Sequence, residues 1–145
     1  MLKPIVTDRK ALSHKCELVV MGEDITQIVQ DLKDTFEPLK NRGFGLAANQ
    51  ISINKAVAYI LFASKEYILI NPQIIDKALP IPFMEGCFSF SGLQLKTKRF
   101  NYIKLRHGLD GKEEEFRGLL AIVIQHEVTH LQGKTFFDFK WKASN

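Results

Sequence analysis

GLLAIVIQHEVTHLQGK, residues 118–134, is the stretch on which the reading of this chain turns. It is the longest strongly apolar run without a proline. It carries two of the four histidines, His126 and His130, in the order H-E-V-T-H. Residues four apart on a helix lie on one face, a turn above each other. Two imidazoles so placed can share one metal ion. Glu127 projects beside them, where a carboxylate can take a proton from water activated by the metal. Leu119, Ile122, Val123, Ile124 and Leu131 spread apolar surface over several faces, as a buried helix requires. Gly133 suits its C-terminal cap. The bland alternative is a core helix whose histidines are hydrogen-bonded packing residues.

Composition sets the frame. The 145 residues make about one domain, and 46% hydrophobic with 25% charged residues is ordinary for a globular fold. A net charge of +4, with lysines and arginines scattered, is too weak to argue for nucleic-acid binding. Two cysteines, Cys16 and Cys87, read as free thiols of a reducing compartment. The N-terminus has no apolar core of a signal peptide, and no run approaches a membrane span.

Outward from the helix, the chain reads as follows. Residues 1–22 are extended or looping chain packed over the core, and the close pair His14 and Cys16 reads as surface or packing residues more readily than as metal ligands. Asp24 with Gln27 suggests a capping box, and Ile25, Ile28, Val29, Leu32, Phe36 and Leu39 give an amphipathic helix ended by Pro38 and Gly43. GFGLAANQ (43–50) offers close backbone approach at its glycines and a two-ended polar group at Gln50. It lacks the strand before, the third glycine and the helix after that a dinucleotide loop needs. AVAYILF (56–62) and YILI (67–70) read as a hairpin turning at Ser64-Lys65. Residues 73–84, with Pro80 and Pro82, read as a loop reaching the site. Cys87 in EGCFS (85–89) is a buried structural thiol, a ligand, or a nucleophile with a histidine base. Alternation over 93–97 and 101–105, the Asp110-Gly111 turn and the return over 112–116 predict a three-stranded unit between Cys87 and the helix. TFFDFKW (135–141) predicts a last strand.

Taken together, Cys87, His126 and His130 supply one thiolate and two imidazoles. Three protein ligands leave a fourth tetrahedral position open, as at a catalytic centre.

GFGLAANQ, EGCFS and QHEVTHLQG, in this order, resemble the G-x-G-x-A-A-x-Q, E-G-C-x-S and H-E-x-x-H motifs of peptide deformylases. INP (70–72) and GLLA (118–121) extend the likeness over about residues 24–138. The resemblance implies an α+β fold, small antiparallel sheets packed around a buried central helix carrying H-E-x-x-H, with residues 1–145 forming a single catalytic domain. It implies removal of the N-formyl group from the N-terminal methionine of newly made polypeptides. Cys87, His126 and His130 would hold one divalent metal, Fe(II) natively, with Zn(II), Ni(II) or Co(II) as substitutes. Glu127 would carry the proton, and Gln50 with the Phe88 N–H would stabilise the oxyanion. Phe44, Gly45 and Gly86 would pair with the peptide as an added strand, and Phe83, Leu119, Ile122 and Val123, with Phe44, would line the methionine pocket. The implied partners are N-formylmethionyl nascent peptides and the ribosome exit region. The expected state is a cytoplasmic monomer that binds neither membrane nor nucleic acid.

The chain departs from the family pattern in three places. Thr129 stands where the family carries aspartate, which should leave Arg99 without its acid. Ser91 replaces a proline and should loosen its loop. No C-terminal helix follows the last motif. Short forms of this kind occur in phages as well as in organelles, so a phage origin is one expectation. Two rivals share the motif. A zincin-type metalloprotease needs a third ligand downstream, where only Asp138 remains. A deformylase-like binding module without activity would have lost ligands or Glu127.

Overall fold

The computed structural model describes residues 1–142. In chain order it contains α1 (Thr26–Phe36), β1 (Gly45–Ala47), β2 (Val57–Phe62), β3 (Lys65–Ile70), β4 (Gln73–Gly86), β5 (Gln94–His107), β6 (Lys112–Arg117) and α2 (Gly118–Leu131). Short 3-10 turns follow α1, β1, β4 and α2. Two antiparallel sheets form, in the orders β1-β2-β3 and β4-β5-β6. The architecture is the expected α+β arrangement, with the central helix between the sheets. Among the described residues, no helix is long and apolar enough to cross a membrane.

β2 shows why the core has two halves. Successive side chains on a strand point to opposite faces. Val57 and Tyr59 pack with Leu32 and Phe36 of α1, while Ala58 and Ile60 pack with Ala121, Ile124 and Val128 of α2. Both faces of this sheet are covered, so β2 reads as a continuous apolar run. Ile103, Leu105 and Phe116 close the α2 side from the second sheet. Gln125 fastens the helix to that sheet by treating β5 as a strand would. Its amide donates to Phe100 O at 2.7 Å and accepts from Phe100 N–H at 2.9 Å.

Both ends of α2 turn on glycine. Gly118 (φ +66) lets the chain pass from β6 into the helix, and Gly133 (φ +78) follows the C-terminus. A Cβ on Gly133 would lie 2.6 Å from the His14 carbonyl carbon, so the N-terminal segment crosses there with no room for a side chain. Cys16 N–H donates to Leu131 O at 2.9 Å, and the Asn71 side chain clamps both polar groups of Val19. Cys16 is buried at this crossing, and His14 contributes its backbone there with its side chain exposed.

Several sequence expectations are corrected. Asp24 accepts from the Thr26 N–H at 2.9 Å, but Gln27 reaches forward to Asp31 (2.8 Å), so no capping box forms. The first hairpin turns on Ala63 and Ser64, both at positive φ, one residue earlier than predicted. Residues 73–84 are not a loop but most of the fourteen-residue strand β4. Pro80 and Pro82 are two apart, so their missing N–H groups face the same side, and β4 is an edge strand with an open side. The three-stranded unit is accordingly β4-β5-β6, of which β4 precedes Cys87, and the two predicted strands over 93–105 are one continuous β5. The predicted last strand is a 3-10 turn, Phe136–Phe139. Thr135 and Asp138 cap each other's backbone there, and the chain returns to β5 through an isolated Lys140–Thr97 bridge and a Trp141 N–H bond to Lys96 O at 2.8 Å.

Candidate active site

α2 carries His126 and His130 one turn apart, with ring centroids 4.9 Å from each other. The end of β4 brings Cys87 to them, with its sulfur 3.3 Å from His130 Nε2. The donor atoms of Cys87, His126 and His130 all lie within 4.8 Å of one another, close enough to share one metal ion. A thiolate with two imidazoles suits zinc or ferrous iron.

The surrounding charges also favour a cation. His126 Nδ1 is bonded to Glu85 Oε1 at 2.6 Å, which leaves its other nitrogen for the cluster. Burial works against charge on His126, but the Cys87 sulfur and the Glu85 carboxylate overcome it and raise the ring to about 10. His130 goes the other way. Burial, with the His126 and Arg99 charges nearby, holds it well below its ordinary value, as a neutral metal ligand must be. The donors present therefore fit a divalent ion.

Glu127 is buried on the same helix beside Gly45. Its Oε2 would lie 3.1 Å from a Cβ at that glycine, and its Oε1 has no hydrogen-bond partner among the described residues. Burial pushes its carboxyl up to about 7, against the pull of His126. A carboxyl poised there can both take and give a proton near neutrality. Gln50 enters from the 3-10 turn Ala48–Ile51. Its Oε1 accepts from the Ala47 N–H at 3.0 Å, which fixes the amide. The Nε2 end then lies 3.0 Å from Ser89 Oγ and 3.7 Å from the Cys87 sulfur. Phe88 opens the turn after Cys87, and its ring lies over Gly43, where an added Cβ would come within 2.5 Å.

A cleft of about 560 Å³ joins these groups. Phe44, Gly45, Phe83, Gly86, Leu119, Ile122 and Val123, the predicted substrate contacts, all line it. Ile122 and Val123 are buried at its floor. Leu119 is exposed at its mouth, an exception to a helix buried all round.

Arg99 corrects one expectation outright. It is not orphaned by Thr129. Its Nε and one terminal nitrogen grip the two oxygens of Glu85, each at 2.7 Å, and its other terminal nitrogen donates to Thr129 Oγ1 at 3.0 Å. Thr129 passes its own proton to Gln125 O at 2.7 Å, and Thr97 donates to Glu85 at 2.6 Å. Against the cost of burial, Arg99 and His126 hold the Glu85 carboxyl well below the usual range. At Ser91 the backbone runs at φ −56 and ψ 136, angles a proline would also adopt, so the loop keeps its course. Glu85 is the functional residue that motif reading passed over. It stands two residues before Cys87, and residues two apart on a strand share a face, a signal that could have found it.

Comparison with known proteins agrees with this geometry. A polypeptide deformylase family model matches residues 2–143. The peptide deformylase of Aquifex aeolicus is 37% identical over 129 residues, covering 82% of this chain and 75% of its own. That of Clostridium beijerinckii is 33% identical, covering 92% of this chain and 98% of its own, so the two are similar in extent. The crystal structure of Thermotoga maritima peptide deformylase superposes with a TM-score of 0.87 at 25% identity, over 98% of this chain and 99% of that one. The chain belongs to the polypeptide deformylase family, metal-dependent hydrolases that remove the N-formyl group from nascent peptides.

Proposed function

We propose that Cys87, His126 and His130 hold the metal of this deformylase and that Glu127, Gln50 and the Phe88 N–H perform its chemistry, with residues 1–145 acting as a single catalytic domain. The observation that carries this is the buried Glu127 carboxylate, with an unpartnered oxygen, beside three metal-ligating atoms. When bound, a divalent ion at these donors supplies a Lewis acid that makes water a nucleophile near neutral pH. Fe(II) is the native ion in this reading, with Zn(II), Ni(II) and Co(II) as substitutes, which the mixed sulfur and nitrogen donors accommodate.

The chain's own groups account for the rest. Glu127 takes the proton of the attacking water and returns it to the amine as the formyl C–N bond breaks, so that formate and a free methionine amine result. The Gln50 amide, pinned by Ala47, donates to the oxygen of the tetrahedral intermediate, and the Phe88 N–H donates beside it. β1 and β4 are edge strands of their sheets, and their ends at Gly45 and Gly86 line the same cleft. A peptide laid between them pairs by its backbone, which suits an enzyme acting on many sequences. Phe44, Phe83, Leu119, Ile122 and Val123 receive the methionine side chain. The enzyme acts as a cytoplasmic monomer on chains emerging near the ribosome exit.

An assay with formyl-Met-Ala-Ser under anaerobic, iron-loaded conditions tests the reading. Stoichiometric release of formate is expected. Metal-loaded protein that releases none, or that cleaves internal peptide bonds instead, overturns it.

A further inference from the structure

Of the ionisable groups lining the cleft, Glu85, His126 and Glu127 are set back within the site already described. Arg42 is exposed at the mouth. Its neighbour Lys40 is paired with Glu37 at 2.5 Å, but no carboxylate pairs with the Arg42 guanidinium among the described residues. The Arg42 N–H donates to Leu39 O at 2.9 Å, so a closed turn fixes where the side chain leaves the backbone.

We propose that Arg42 is a specificity residue that favours acidic side chains shortly after the formyl-methionine. The proposal rests on the peptide lying along residues 43–45, as set out above. Gly45, beside Glu127, marks the reacting end. Beyond it, Leu46 and Ala47 are fully buried, so the peptide can leave this wall only past Phe44, Gly43 and Arg42. Three residues at roughly 3.3 Å each put Arg42 at most about 10 Å from Gly45 along the chain. That span covers the second to fourth residues of the substrate. The walls they pass present Phe44, Met84, Leu93 and Leu119, all exposed and apolar. Arg42 is then the group that can tell a carboxylate from an ammonium. Its fork of donors suits a carboxylate in particular.

The test compares C-terminally amidated formyl-Met-Ala-Ser analogues with Glu, Gln or Lys placed in turn at the second, third and fourth positions. The parent should prefer Glu over Lys at one or more positions by roughly two- to fivefold in kcat/KM, the range an exposed ion pair permits. The difference should lie in KM and shrink in high salt. Arg42→Ala should level the series, and Arg42→Glu should reverse it. The uncharged amide substrate is read in the same run. A parent inactive on it overturns the deformylase reading. A parent active on it that treats Glu and Lys alike, or an Arg42→Ala enzyme that keeps the preference, overturns only the role of Arg42. A free-acid arm separates side-chain from terminal carboxylate. A gain from the terminus with none from Glu also counts against the proposal, because a growing chain has no carboxylate there.

Discussion

Two buried carboxylates beside α2, Glu85 and Glu127, are treated in opposite ways. Around Glu85 and Arg99, the polar atoms satisfy one another. Glu85 accepts from Arg99 twice and from Thr97, and bonds His126, while Arg99 also bonds Thr129, which bonds Gln125 O. On the cleft side, Glu127 keeps a buried oxygen without a partner among the described residues. A buried polar group left unpaired costs about 1–3 kcal/mol. The fold carries that cost at Glu127, where the proposed mechanism receives a proton, and at His130 Nδ1, and avoids it around His126. In the proposed mechanism the proton carrier is the incomplete group, and the anchor of His126 is the satisfied one.

Substitutions on the two sides should separate these roles. The largest effect is expected in front. Glu127→Gln keeps the shape and removes the proton carrier, so deformylation should fall by roughly 10²–10⁴ while metal content and Tm stay near the parent's. Loss of metal together with rate would make Glu127 a ligand or a folding requirement. Behind the helix, Glu85→Gln should weaken the hold on His126 and lower metal affinity by about 10–100-fold, read by chelator competition. It should also lower Tm, since Arg99 loses its counter-charge in a buried place. Unchanged affinity would reduce Glu85 to a partner of Arg99 alone. The smallest effect belongs to Thr129→Val. It removes one acceptor from Arg99, and should cost about 1–3 kcal/mol in urea unfolding with activity close to the parent's. A large loss of rate with full stability would move Thr129 into the catalytic machinery.

This asymmetry was half legible in the sequence. His126, Glu127 and His130 announce themselves because a metal pair on a helix needs a fixed spacing within an apolar run. Cys87 and Gln50 are legible through short motifs, and the glycines of the Gln50 motif have visible causes. Gly43 lies under the Phe88 ring, and a Cβ at Gly45 would meet Tyr59 O at 2.7 Å. The satisfied side was not legible in the same way. That Arg99 binds Glu85 depends on the register of β4 against β5, which sets Phe83 opposite Thr97 and Ile81 opposite Arg99. Local pattern does not encode that register. Reading Pro80 and Pro82 as a loop hid the strand altogether, because a proline's missing N–H matters only on the side where a partner lies. Phe137, Phe139 and Trp141 alternate like a strand, but the Thr135–Asp138 cap closes the turn first.

The central claim is that one ion is held by Cys87, His126 and His130, and elemental analysis of metal per chain, on the parent and on Cys87→Ala prepared side by side, tests it most directly. The account predicts one divalent ion per parent chain and loss of most of it in the variant, because a site of three protein ligands has none to spare. Full occupancy in Cys87→Ala would contradict it.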